Sequence, residues 1–291
     1  MATTVIDGIA TQYEVVGSGP PLLMFSPGGF DATLDKWITL GIYAEIKILD
    51  HLSGKFRCIV FDRRESGRSG GRIEPLRWQH YVIQGLGLLD HLKIKRAHLM
   101  GGCMGCSPVL AFAVAHPEVA LSLVLYWPAG GAKYRINSLK RFTEHVSFVQ
   151  QHGLSQVVCL AKAEGKMFGA DPRVGPWASV IRNDAAFAEV YVRQNVEEYS
   201  MIVTRMSGSL FDRDTVSGAE PEDLLQLKVP AFIIPGHDPS HATSAARYLE
   251  ECLPNANYWD APVDGQTEQT APPRILQFLE KVDGNGPAVS P

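Results

Sequence analysis

The sequence predicts an α/β protein with a mostly parallel, doubly wound sheet and a helical insertion. Short, wholly apolar runs recur along the chain, and segments with helical spacing separate them. From about Gly131 to Leu225 the alternation stops and only helical patterns remain.

TTVIDGIATQYEVVGSGP (3–20) alternates and turns at Asp7-Gly8, which reads as an N-terminal hairpin. The runs PLLMFSP (21–27), RCIVFDR (57–63), RAHLMGG (96–102), LSLVLYWP (121–128) and PAFIIPG (230–236) follow. Runs this apolar fit parallel strands buried on both faces. YVIQGLGLLDHLKI and SPVLAFAVAHP supply helices between them. In the interval, SLKRFTEHVSFVQQHG and NDAAFAEVYVRQNVEEYSMIVTRM read as amphipathic helices. The helix ATSAARYLEECLP, the strand NYWDAP, the helix PPRILQFLEKV and a tail GNGPAVSP complete the chain. The domain reading is a core of 1–130 and 225–291 with a cap of 131–224, inserted after the strand at 121–128. A cap there would lie over the C-terminal strand ends, where α/β sheets bind ligands.

Composition excludes several classes. Of 291 residues, 45% are apolar and 20% charged, with a net charge of −4 and no basic cluster, so no nucleic-acid partner is expected. No apolar run reaches the roughly 20 residues that span a bilayer, and MATTVIDGIATQ does not read as a signal peptide. The expectation is a cytoplasmic protein with a small-molecule substrate and no membrane partner; a homodimer stays open. Five cysteines make no disulfide scaffold, and no metal or cofactor motif is present, so neither is expected.

One motif carries chemistry. Gly101-Gly102-Cys103-Met104-Gly105 lies between the strand RAHLM and the helix SPVLAFAVA. A Gly-X-Nuc-X-Gly turn lets strand and helix approach closely and exposes the central side chain. The helix N-terminus favours a thiolate at Cys103. The spacing of Cys103 and Cys106 also fits a redox pair. Cys58 and Cys252 read as buried structural thiols.

These features resemble the α/β-hydrolase superfamily over nearly the whole chain. FSPGGF (25–30) is similar to its oxyanion loop, and DRRESGRS (62–69) to its D-x-R-G-x-G-x-S loop with Glu65 in place of a glycine. AHP (115–117) also matches, and PGHDPSHATSAARYLEECLPNA (235–256) resembles the stretch that carries the catalytic acid. The resemblance implies Cys103 as nucleophile, Asp238 as acid, and the N–H groups of Met104 and of Gly28 or Gly29 as oxyanion donors.

It also implies a histidine after the last strand. APVDGQTEQTAPP (261–273) has none, and Gly265 or Gln266 falls closest to that position. His237 or His241, beside the acid, are the candidate proton shuttles; Glu65, Asp264 and Glu268 are candidate carboxylate bases. Arg64 is expected to brace its loop. The predicted function is hydrolysis of a small ester, thioester, lactone or C–C substrate. The alternatives are a non-catalytic binding or sensing protein on the same fold, or a Cys103/Cys106 redox protein.

Overall fold

A computed structural model describes residues 1–284. The predicted tail GNGPAVSP lies, from Asn285 onward, outside the described residues. Eight strands form one sheet: β1 (Ala2–Ile6), β2 (Ile9–Val16), β3 (Pro21–Phe25), β4 (Arg57–Phe61), β5 (Ala97–Gly102), β6 (Ala120–Tyr126), β7 (Ala231–Ile234) and β8 (Ala256–Tyr258). Their order is β1-β2-β4-β3-β5-β6-β7-β8. β1 and β2 make the antiparallel hairpin, β2 joins β4 antiparallel, and every later pairing is parallel.

The continuous apolar runs are explained by burial on both faces. Leu23, Phe25, Phe61, Leu99 and Leu125 point to one side and pack on the helices Trp78–His91 and Cys106–Ala115. The alternate residues Leu22, Met24, Val60, Met100 and Val124 point to the other side, toward the helices near Trp37–Leu52 and the C-terminal helix Ala271–Gly284. With a side-chain period of two, each strand needs apolar residues at every position to bury both surfaces.

Five α-helices stand between β6 and β7 among the described residues. The first runs Ala132–Glu164 and breaks at Gly153, whose φ of 75° is not helical. The stretch 183–206, read as helical, holds parts of two helices, Ala185–Val192 and Val196–Leu210. Val192 closes the first, and the Asn195 side chain accepts from the N–H groups of Glu197 and Glu198 to start the second. His145 is fully buried among the inserted helices. It hydrogen-bonds Tyr199 Oη at 2.7 Å, and burial lowers its pKa to about 4.

Candidate active site

β5 ends at Gly102, and Cys103 follows in a left-handed conformation with φ of 54°. That strained turn lifts the thiol off the strand and into the space above the sheet. Its tightness explains the flanking glycines. A Cβ on Gly101 would stand 2.4 Å from the Gly105 carbonyl oxygen, and one on Gly105 would stand 2.4 Å from that of Phe25. Any larger residue at either position would push the helix Cys106–Ala115 off the sheet.

Behind β3, the loop Ser26–Phe30 is held by a buried cation. Arg63 donates through Nη2 to the carbonyls of Gly28 and Gly29, the latter at 2.8 Å. With its carbonyls turned toward Arg63, the loop presents the Gly28 N–H to the Cys103 sulfur, and the Met104 N–H reaches the same atom. Gly29 lines the cavity, but it is the Gly28 amide that meets the sulfur.

The loop after β7 supplies the other partners. Asp238 Oδ1 accepts from the N–H of Ser240 at 2.7 Å and of His241 at 3.0 Å. This side-chain turn doubles the chain back. His241 Nδ1 then lies 2.7 Å from Asp238 Oδ2. Its Nε2 is buried and makes no hydrogen bond of ordinary geometry; Cys103, which lines the same cavity, is the group whose charge acts on it from that side. Gly236 leaves room for this approach: a Cβ there would stand 2.6 Å from the Cβ of His241.

Electrostatics follows from the geometry. Burial opposes ionisation of Cys103, but His241 and the two backbone amides outweigh it and hold the thiol below its ordinary range. Burial likewise opposes protonation of His241. The Cys103 and Asp238 charges outweigh it and raise the imidazole to about 9. The three groups thus favour the thiolate–imidazolium form more than an isolated cysteine and histidine would, with the Asp238 carboxyl held below its usual range by His241 and the turn amides.

A cavity of about 190 Å³ opens directly over the sulfur. Cys103, Met104, His241, Gly29 and Phe30 form its floor. The inserted helices close it with Tyr134, Ser138, Arg141, Phe142 and Phe168. Phe30, Phe142 and Phe168 touch edge to face with centroids 4.9–5.7 Å apart, so most of the wall is apolar.

The alpha/beta hydrolase fold family model matches residues 21–160, from β3 through the elbow into the first inserted helix. The structure of an enol-lactonase from Burkholderia xenovorans LB400 superposes with a TM-score of 0.57 at 20% identity, covering 97% of this chain and 98% of that one. The chain has the α/β-hydrolase fold. Among curated sequences, it is similar to the putative carbamate hydrolase RutD of Caulobacter sp. (strain K31), 26% identical over 242 residues, or 78% of this chain and 82% of that protein. It is also 26% identical over 160 residues to the uncharacterized hydrolase YraK of Bacillus subtilis (strain 168). That match spans 54% of this chain and 55% of the relative, about half the length of each.

Against this α/β-hydrolase frame, several residues fall elsewhere than expected. His237 precedes the turn and does not line the cavity over Cys103; its Nδ1 lies 3.1 Å from Thr243 Oγ1. Glu65 is not beside Cys103. It is fully buried in its own loop, where both carboxylate oxygens accept from Arg64 Nε at 3.0 and 3.1 Å. Arg64 also bonds Glu74 and braces the loop as expected. The φ of 65° at Glu65 explains why a glycine suits that position in the family. Glu268 pairs with Lys47 at 3.1 Å and His51 at 3.1 Å, and Asp264 does not line the cavity over Cys103.

Gln266, closest to the position where the resemblance expects histidine, has a structural task. It accepts from Trp127 Nε1 at 2.8 Å and donates to the carbonyls of Pro235 at 2.8 Å and Ala261 at 3.2 Å. Trp127 in turn packs against the His241 ring, with centroids 5.5 Å apart. Cys106 is a poor redox partner. Its thiol is fully buried, donates to the Gly101 carbonyl at 3.1 Å, and is pushed well above its ordinary pKa by burial. Cys58 and Cys252 are buried as expected.

Sequence reasoning missed four contributors, one that holds the loop Ser26–Phe30 and three on the cavity wall. Arg63 was hidden beside Arg64, with only its place at the end of an apolar strand as a signal. Tyr134, Ser138 and Arg141 share one face of a helix whose orientation the pattern alone does not fix. Among the described residues, no helix is long and apolar enough to cross a membrane, and no His/Cys/Asp/Glu group has metal-site geometry.

Proposed function

We propose that the protein is a hydrolase in which Cys103 is the nucleophile, His241 the proton shuttle and Asp238 the acid that orients it. The substrate class is a small ester, thioester, lactone or activated C–C compound. The observation that carries the reading is the line Cys103–His241–Asp238, with His241 facing the thiol on one side and hydrogen-bonded to Asp238 on the other.

On an ester, the thiolate attacks the carbonyl carbon and forms a C–S bond. The carbonyl electron pair moves onto oxygen, where the Gly28 and Met104 N–H groups stabilise it. Collapse breaks the bond to the leaving oxygen, which takes its proton from the His241 imidazolium. Water then attacks the thioester and gives a proton to neutral His241. The second collapse breaks the C–S bond, releases the carboxylic acid and restores the ion pair. Asp238 accepts a hydrogen bond from Nδ1 throughout, which keeps Nε2 aimed at the reacting atoms.

Residues 131–224 act in this reading as a cap that excludes water and shapes the acyl pocket over the 1–130 and 225–291 core. The small cavity, below the roughly 300–1,000 Å³ of common ligand pockets, favours short acyl groups. Turnover of p-nitrophenyl acetate and butyrate tests the proposal. Wild-type protein should hydrolyse them and Cys103→Ala should not. Equal turnover by the two proteins would refute it.

A further inference from the structure

Arg141 is the unexplained group in the cavity. It is half-buried, lines the same space as Cys103, and makes no hydrogen bond or ion pair to any described residue. The other half-buried arginines of residues 131–224 are all engaged. Arg135 donates to the Phe211 carbonyl at 3.0 Å, Arg182 to that of Ala161 at 3.1 Å, and Arg213 pairs with Glu220 at 2.8 Å. Asp31, the acidic residue on the cavity wall, has its charge matched by Lys36 at 3.2 Å. Ser138, buried and one helical turn before Arg141, faces the cavity as well, and its hydroxyl makes no hydrogen bond to a described residue.

A guanidinium held partly out of water without a partner is costly, and the cost is recovered when an anion fills its planar fork. Phe30, Phe142 and Phe168 on the same wall would pack a short methylene chain. We infer that the cavity takes a short acyl chain ending in a carboxylate, such as a half-ester or half-thioester of a small dicarboxylic acid. Arg141 and Ser138 bind its carboxylate while Cys103 faces its reactive carbonyl. The inference rests on the hydrolase reading for its reaction but not for its binding site.

Two arms test it. In the first, kcat/KM is measured for the p-nitrophenyl half-ester of glutaric acid and for p-nitrophenyl valerate. The half-ester should be preferred, and Arg141→Gln should lower the ratio about ten- to hundred-fold through KM, with Arg141→Lys retaining part of it. An unchanged ratio in Arg141→Gln would overturn the inference. In the second, glutarate binding to Cys103→Ala protein is followed by calorimetry. Binding that disappears when Arg141→Gln is added supports the subsite; no binding, or binding indifferent to Arg141, overturns it. If neither ester is turned over, the hydrolase reading has failed and the second arm still decides this one.

Discussion

His241 Nδ1 lies 2.7 Å from the carboxylate of Asp238, a residue only three positions earlier in the chain. A single turn thus brings a carboxylate and an imidazole together, with the imidazole on the same cavity as the elbow cysteine. The backbone amides of Ser240 and His241 close that turn on the same carboxylate, so Asp238 both shapes the loop and orients the ring.

The proposed ion pair of Cys103 and His241 predicts a distinctive alkylation profile. Iodoacetamide should modify Cys103 with an apparent pKa below the roughly 8.5 of a free thiol. His241→Ala should return that value toward the free thiol and cut ester turnover on the order of 10²–10⁴-fold. His237→Ala should alter neither, because its ring bonds Thr243. With His241 raised to about 9, turnover should also decline above that pH as the leaving group loses its proton donor. Identical alkylation profiles for wild type and His241→Ala would contradict the pairing.

Asp238→Asn tests orientation. The amide keeps the shape but removes the charge that stabilises the imidazolium, so the His241 pKa should fall and kcat should drop with little change in KM. A loss confined to KM would place Asp238 in substrate binding instead.

Gln266→Ala is a stability prediction. It strands Trp127 Nε1 and two loop carbonyls in the interior, which should cost about 1–3 kcal/mol in urea unfolding. An unchanged midpoint would mean that the network is not formed.

Glu65 gives a pH signature. Burial, partly offset by Arg64, raises its pKa from 4.5 to about 7. Because the folded-state value is the higher one, its contribution is complete below about pH 4.5 and is lost as pH rises through 7. Wild type should therefore lose more stability than Glu65→Gln between about pH 5 and pH 8. Equal losses in chemical denaturation would contradict the assignment.

The elbow was legible because close strand–helix packing demands glycines at fixed spacing around Cys103. Buried parallel strands likewise demand unbroken apolar runs. The histidine proposed as proton shuttle was only half legible. His237 and His241 flank the same aspartate, and no periodicity separates them. What separates them is the Asp238 turn, which carries His241 back over Trp127 while His237 stays outside it. Nor could Gln266 be read as a prop for Trp127, since the two are joined by a contact across 139 residues. The cavity wall was hidden for a similar reason: a helical stripe shows which residues share a face, and the packing decides what that face meets.

The central claim is that Cys103 forms a covalent acyl intermediate with His241 at its back. The most direct measurement is peptide mass spectrometry after rapid acid quench of the protein reacting with p-nitrophenyl acetate. The account predicts an acetyl group on the peptide containing Cys103, accumulating in wild type and absent in Cys103→Ala. Steady turnover with an acetyl group elsewhere, or with none on any peptide at any quench time, would contradict it.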